Sequence, residues 1–251
     1  MNKYICAVCL GIMSSMAFAD EVHVGVFIHS PNVYQDKQTN VIRGPSIDYI
    51  TTKLRKMGHT PVVVAQPFPR LMLSLENGDV DLTLEIAKNQ DRERFAYFSK
   101  KPIYIMRPGI TVLVGSKLSK IESVNNLNGM TLGFLAGAAI PDFFANQPAV
   151  KFDLVSGDDW LAKNLGKLLA GRVDAVFDQN VYSYLAEAKK KNIGDKIKTI
   201  PLPVKGTEAF VAFSKKSAVG AKLLKEFDDA NDDKVDVINS MIENELAKSD
   251  H

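Results

Sequence analysis

The chain has 251 residues, of which 46% are hydrophobic and 24% are charged, and its formal net charge is +2. This length and composition are those of an ordinary globular protein with one or two compact domains. Because basic and acidic side chains nearly balance and no basic tract occurs, the sequence gives no reason to expect nucleic acid or a membrane surface as a partner.

The first 19 residues have the pattern of a secretory signal peptide. Lys3 supplies a positive n-region, residues 4–16 are mostly apolar, and Ala-Phe-Ala at 17–19 forms a small-x-small cleavage site. Both cysteines, Cys6 and Cys9, lie in this leader, so the mature chain would need neither a disulfide nor thiolate chemistry. We therefore expect a secreted protein.

The first half of the mature chain alternates strands and helices. The patterns predict a strand at 21–27, a helix capped by Ser46, a strand at 60–65 and a leucine-rich helix that Gly78 ends. A short, apolar, β-prone segment at 80–86 then predicts a buried strand. This β-α-β-α-β order is typical of a doubly wound α/β sheet.

The second half repeats one joint of the first. The positions of Leu75, Gly78, Val80 and Asp81 recur as Leu168, Gly171, Val173 and Asp174, 93 residues later. Two copies of a helix–glycine–strand joint predict two similar lobes. Extended segments at 103–116 and 200–207, each interrupted by proline and glycine, predict two crossings between the lobes.

Arg92 follows the buried strand after a polar turn at 88–91. Ligands of open α/β sheets bind beyond the carboxyl ends of the strands, so Arg92 is a candidate ligand contact. Its planar guanidinium can hold a carboxylate through two hydrogen bonds. A solvated surface arginine is the alternative interpretation.

Residues 75–104 resemble the signature of bacterial extracellular solute-binding proteins of family 3, the polar amino-acid binders that feed ABC importers. That signature is a leucine-rich helix, Gly-x-x-Asp, a buried strand, a Thr-Pro-Glu-Arg turn and Phe-Ser-x-Pro-Tyr. The matching positions here are Gly78, Asp81, Asn89-Gln90-Asp91-Arg92, Phe98, Ser99, Pro102 and Tyr104. The departures are Asn89 in place of threonine and an additional lysine before Pro102.

The resemblance implies an α/β, two-lobed periplasmic-binding-protein fold of type II, with doubly wound lobes joined by two hinge segments. Lobe 1 would comprise residues 20–107 and 207–251, and lobe 2 residues 108–206. The implied function is a monomeric receptor in the periplasm that closes around a small polar solute, an amino acid or a related compound. It would deliver this ligand to the membrane subunits of an ABC importer, without a cofactor and without enzymatic activity.

The resemblance also implies roles for charged residues. Arg92 would hold a ligand carboxylate. Asp178 would pair with a ligand ammonium, although the family more often has this aspartate one place later, at Gln179; a helix N-cap is the alternative role for Asp178. Glu85 replaces a usual glycine and would favour a cationic group if its side chain faced the cleft, which strand alternation alone does not decide.

Other candidate contacts come from loops. Phe68 and Tyr34 are candidates for stacking on the ligand, and Asn89 lies in the turn before Arg92. Gly137 and Ala138 form the turn after a predicted strand, where the family has a serine or threonine after the glycine; a helix beginning at 140 would offer backbone N–H groups to an anion. Trp160 is suited either to stacking or to a core position.

Two other functions stay open. Cyclohexadienyl dehydratases share the implied fold and eliminate water and carbon dioxide, for which Glu85 or His29 would have to act as acid or base. A receptor that reports to a membrane signalling protein would use the same cleft. Metal chemistry is not indicated, because the four histidines are scattered and no cysteine remains in the mature chain.

Overall fold

A computed structural model of the protein describes residues 20–36, 38–145, 147–230 and 235–248. The expected leader, residues 1–19, lies outside these ranges. The described chain forms two α/β lobes, each with its own β-sheet, and a small two-stranded sheet beside the first. Among the helices of these ranges, none has the length and apolar character needed to cross a membrane.

In chain order the strands are β1 (Glu21–Val26), β2 (Tyr34–Gln35), β3 (Ile42–Arg43), β4 (Thr60–Ala65), β5 (Leu82–Ala87), β6 (Ala96–Phe98), β7 (Tyr104–Met106), β8 (Gly109–Leu113), β9 (Thr131–Leu135), β10 (Lys151–Val155), β11 (Ala175–Asp178), β12 (Ile197–Pro201) and β13 (Thr207–Ser214). The α-helices are α1 (Pro45–Lys56), α2 (Phe68–Asn77), α3 (Gln90–Glu93), α4 (Trp160–Leu169), α5 (Ser183–Lys190), α6 (Gly220–Ala230) and α7 (Val237–Lys248). Short 3-10 helices span Val124–Leu127, Asp142–Phe144 and Gly194–Lys196.

The two large sheets share one plan. In the first, the strand order is β4-β1-β5-β13-β6, and β7 also pairs with β13. In the second, the order is β10-β9-β11-β8-β12. Each sheet has three parallel strands followed by one antiparallel strand, β13 or β8. This is the doubly wound arrangement that the sequence predicts.

The repeated helix–glycine–strand joint has the same structure in both lobes. Gly78 and Gly171 have φ angles of +85° and +65°, in the left-handed region that glycine tolerates. Asp81 and Asp174 then each accept a hydrogen bond of 2.7 Å from a backbone N–H of the neighbouring parallel strand, β1 or β9. The prediction of two similar lobes is therefore confirmed.

The start of α1 differs from the prediction. The helix begins at Pro45, with Gly44 rather than Ser46 at the N-cap. Proline suits the first helical position because that position needs no N–H donor. The hydroxyl of Ser46 is buried and donates instead to Glu85, which lies 39 residues away in the sequence. A long-range acceptor has therefore replaced the local capping role.

The chain passes between the sheets twice. The first passage lies between β7 and β8, and the second between β12 and β13. After the second passage, α6 and α7 return to the first lobe, where Leu223, Phe227, Ile238 and Ile242 join the core around β1. Residues at the carboxyl ends of β1 and β5 line the same cavity as residues at the carboxyl ends of β9 and β11, so these strand ends face each other between the lobes.

Candidate ligand-binding cleft

A cavity of about 40 Å³ lies between the lobes at the carboxyl ends of their central strands. Such a volume accommodates a few water molecules, so the lobes are closely apposed. Its walls are mostly apolar, with a small number of ionisable side chains. The residues that line it are Phe27, His29, Phe68, Glu85, Ile86, Ala87, Arg92, Tyr104, Met106, Phe134, Leu135, Ala138, Ala139, Trp160, Asp178 and Gln179.

Arg92 is held in place by its own short helix. The side chain of Asn89 caps α3 by accepting a hydrogen bond of 2.9 Å from the Arg92 backbone N–H. The guanidinium donates from Nη1 to the carbonyl oxygen of Ala87 at 2.8 Å and lies 5.6 Å from the ring centroid of Phe68. These contacts fix the direction of the side chain.

Arg92 is a buried cation that lacks an anionic partner among the described residues. The residue is only 8% exposed, and burial lowers the pKa of its guanidinium to about 10. No carboxylate in the described part of the chain forms an ion pair with it, although most arginines this buried are paired. The site is therefore suited to an anionic group from outside the protein.

Glu85 reaches the cleft through a β-bulge. Leu84 and Glu85 together stand opposite Val211 in β13, where the pairing register shifts by one residue. Glu85 has a φ of +60°, in the region where such bulges normally place glycine. The bulge turns its side chain into the cavity wall, and burial raises the pKa of its carboxyl group against the opposing effects of His29, Ser46 and Asn32.

Neighbours in its own lobe donate to one oxygen of the Glu85 carboxylate. Its Oε1 accepts a hydrogen bond of 2.6 Å from Nδ2 of Asn32 and a second one from the hydroxyl of Ser46. Oδ1 of Asn32 in turn accepts a bond of 2.9 Å from Nδ2 of Asn180, in the other lobe. Glu85 is thus the start of a polar chain that crosses the cleft.

Asp178, the last residue of β11, is the most heavily bonded carboxylate in the cleft. Its Oδ1 accepts hydrogen bonds from the Asn180 backbone N–H at 2.6 Å, from the Ser183 hydroxyl at 2.9 Å and from Nε2 of His29 at 3.1 Å. Burial alone would lower the pKa of His29, but Asp178 and, more weakly, Glu85 raise it above its ordinary value. This pairing favours the imidazolium form.

The loop after β1 joins the two lobes at several points. Besides the contacts of His29 and Asn32, the carbonyl oxygen of Ile28 accepts a hydrogen bond of 2.9 Å from Nε1 of Trp160. The ring of His29 lies between those of Phe27 and Trp160, with centroid distances of 5.3 and 5.6 Å. These contacts describe a closed conformation.

Most of the candidate residues named from the sequence line this cavity together, namely Arg92, Asp178, Glu85, Phe68, Ala138, Trp160 and His29. Three others are not among its lining residues. Tyr34 is half-buried in β2, Asn89 caps α3, and Gly137 is exposed with a φ of +78°. The expected helix at 140 is a 3-10 helix of three residues, Asp142–Phe144, so it offers no long array of free N–H groups.

Several residues have a larger role in the cleft than the sequence patterns predict. The sequence marks His29 only as an acid or base candidate of the dehydratase alternative, yet it forms an ion pair with Asp178 between the lobes. Phe27, Phe134 and Trp160 supply aromatic walls. The available signal was position, since Phe27, His29 and Phe134 all lie at the carboxyl ends of central strands. Over the described ranges, no cluster of His, Cys, Asp and Glu is suited to a metal ion.

Comparisons with known proteins agree with this geometry. The model of the bacterial extracellular solute-binding proteins, family 3, matches residues 22–248. An ancestral arginine-binding protein bound to arginine has a TM-score of 0.70 and 20% sequence identity, over 91% of this chain and 95% of that chain. The values are the same for AbpA, an amino acid ABC transporter substrate-binding protein from Streptococcus pneumoniae Canada MDR_19A bound to L-arginine.

A third solved structure, the substrate binding protein of an amino acid ABC transporter, has a TM-score of 0.70 and 18% identity, over 91% of this chain and 96% of that chain. No curated protein sequence matches the chain. These structural likenesses establish the two-lobed type II periplasmic-binding-protein fold, and at such identities they establish the fold alone.

Proposed function

The chain belongs to the bacterial extracellular solute-binding proteins, family 3, and from this premise we propose that it captures a small carboxylate solute, an amino acid or a related compound, for an ABC importer. The protein acts as a monomer in the periplasm, after removal of residues 1–19. It catalyses no reaction on the ligand. Its membrane partners are the importer subunits that receive the ligand from the closed receptor.

One observation carries this proposal. Arg92 is buried at the wall of the interlobe cavity, its side chain is oriented by Ala87 and Phe68, and it forms no ion pair with a described carboxylate. An unpaired buried charge is costly, and an incoming carboxylate removes that cost through charge-assisted hydrogen bonds. The arrangement therefore favours an anionic ligand group at Arg92.

The two-lobed plan supplies the mechanism of capture. We divide the lobes at the chain passages, with residues 20–107 and 207–251 in lobe 1 and 108–206 in lobe 2. Rotation about the two passages opens the cleft, and a ligand that contacts both lobes shifts the population toward the closed form. Phe68 and Arg92 contribute from lobe 1, and Ala138 and Asp178 from lobe 2.

A thermal-shift screen tests this function. The purified protein is unfolded and refolded to remove carried-over ligand, then tested against amino acids, polyamines and carboxylates. A binder at a hundredfold excess over its Kd stabilises the folded protein by about 2.7 kcal/mol. We expect such a shift in the wild type and in Arg70→Ala, a matched control at an exposed arginine of α2, and its loss in Arg92→Ala.

The other outcomes separate the remaining possibilities. Equal stabilisation of Arg92→Ala and the wild type would contradict the role of Arg92. A shift with polyamines alone would place the binding in the acidic residues Glu85 and Asp178. Consumption of prephenate or arogenate in a parallel incubation would replace the binding function by the dehydratase reaction.

A further inference from the structure

We propose that the ligand is a monocarboxylate with a compact apolar body and no α-ammonium group. Asp178, the carboxylate that lobe 2 contributes to the described cavity wall, is already paired with His29. Glu85 already accepts hydrogen bonds from Asn32 and Ser46. Arg92 is then the only charged group of the described cavity wall that is left for the ligand. This inference names the ligand class of the proposed function and rests on it.

The first argument is that the charge of Asp178 is already paired within the protein, by His29. Three donors already converge on its Oδ1, and they come from His29, Ser183 and the Asn180 backbone. For an ammonium to take the place of His29, the imidazolium would have to lose its only carboxylate partner among the described residues and keep the neutral Ser183 hydroxyl, 2.8 Å from its Nε2, while it stays buried between Phe27 and Trp160. Breaking a buried ion pair in this way is strongly unfavourable.

The second argument is that Glu85 does not offer a replacement. Its Oε1 is bonded to Asn32 and Ser46, and Asn32 is in turn bonded to Asn180 across the cleft. Burial also raises the pKa of this carboxyl group and so favours its neutral form, which attracts a cation less than the carboxylate does. Both acidic side chains of the cavity wall are therefore internally compensated.

The third argument is the chemistry of the remaining wall. Ala138, Ala139 and Leu135 line the cavity from lobe 2 beside the polar Gln179, and the aromatic lining residues include Phe27, Phe68, Phe134 and Trp160. Phe68 lies beneath the Arg92 guanidinium and 4.9 Å from Phe27, measured between ring centroids. A carboxylate held by Arg92 would thus have its carbon chain against apolar surface, and the small cavity favours a compact chain.

Matched pairs of ligands that differ only in the ammonium group provide the test. Alanine is compared with propionate, leucine with 4-methylpentanoate, and phenylalanine with 3-phenylpropionate, each by isothermal titration calorimetry on the refolded wild-type protein. We expect at least one acid to bind more than about tenfold tighter than its amino acid, because the ammonium would be buried without a partner. The comparison of sizes shows which body the cavity accepts.

A change at His29 should alter this preference. In His29→Ala, Asp178 becomes available to an ammonium, so the amino acid gains affinity and the acid does not. His29→Gln keeps a donor for Asp178 without the charge and should give an intermediate ratio. His23→Ala, at a histidine whose side chain is 47% exposed, is the matched control and should keep the wild-type ratio.

The outcomes separate this inference from the proposed function. If the wild type binds an amino acid tighter than its acid partner, and Arg92→Ala abolishes that binding, the function stands and the inference is overturned. If neither member of any pair binds but the thermal-shift screen finds an amino acid whose binding Arg92→Ala abolishes, the function stands and the inference is overturned; if the screen also finds no carboxylate ligand, both fail. If the acids bind but His29→Ala leaves the ratio unchanged, the assigned role of His29 is overturned.

Discussion

Because Glu85 lies in a β-bulge, we predict that substitution by glycine at this position is less destabilising than substitution by alanine, the reverse of the usual order in a strand. Glu85 has a φ of +60° and lies opposite Val211 at a shift in strand register. Glycine adopts this conformation readily, whereas any residue with a Cβ atom is strained there. We therefore expect Glu85→Gly to be more stable than Glu85→Ala, although both remove the same carboxylate from Asn32 and Ser46.

The size of the difference follows from two opposing effects. The left-handed conformation costs a residue with a Cβ atom roughly 1–2 kcal/mol. Glycine in turn lowers the free energy of unfolding by roughly 0.4–1 kcal/mol relative to alanine, because it makes the unfolded chain more flexible. The glycine variant should therefore be more stable by about 1 kcal/mol. Thr83, two residues earlier in the same strand and without a positive φ, should show the opposite order, with alanine more stable by about 0.5–1 kcal/mol.

Urea denaturation of the four variants measures these differences as shifts in midpoint at constant slope. Because the two variants at each position differ by one methyl group, loss of the Glu85 hydrogen bonds cancels in the comparison. If Glu85→Ala were more stable than Glu85→Gly, by the same margin as Thr83→Ala over Thr83→Gly, the strained conformation of the bulge would be refuted. It would also remove the explanation for how Glu85 reaches the cleft.

Three further predictions concern the closed cleft. The raised pKa of His29 means that its contribution to stability is present below about pH 6.5 and is lost as the pH rises through the folded-state pKa. The thermal midpoint should therefore decrease over that pH range, and it should decrease less in His29→Gln. An identical pH dependence of the midpoint in the wild type and in His29→Gln would contradict this. Asn89→Ala should cost about 1 kcal/mol of stability by removing the cap of α3 and should weaken ligand binding through Arg92, whereas Asn89→Ser should restore both in denaturation and titration experiments. The bond between Asn180 and Oδ1 of Asn32 forms only when the lobes meet, so Asn180→Ala should destabilise the closed form alone. The ligand Kd should therefore rise by about 5–30-fold. An unchanged Kd would exclude a role of this bond in closure.

The fold was largely predictable because its signals are local. The glycine at 78 ends a helix through its own conformation, and apolar segments of strand length identify buried strands wherever they occur. The repeat of this joint at 171–174 then gives two lobes without any knowledge of contacts. Arg92 was also accessible, since its position after a strand and its residue type are both visible in the sequence.

The electrostatics of the cleft depend on distant partners and could not be predicted in the same way. His29 and Asp178 are 149 residues apart in the sequence, and their contact exists only when the lobes meet. The orientation of Glu85 depends on a bulge against β13, which breaks the strand alternation used to judge it. Ser46 was misinterpreted for a related reason, because its acceptor belongs to another strand.

Trp160 offers the most direct test of the central claim, that a carboxylate bound at Arg92 closes the two lobes. It is the only tryptophan in the sequence, it lines the cavity, and its indole N–H bonds to Ile28 of the opposite lobe. We predict that titration with the carboxylate identified by the screen gives a saturable change in Trp160 emission for the wild type and Arg70→Ala. The change should be absent in Arg92→Ala. An equal change at equal concentrations in Arg92→Ala would contradict the account.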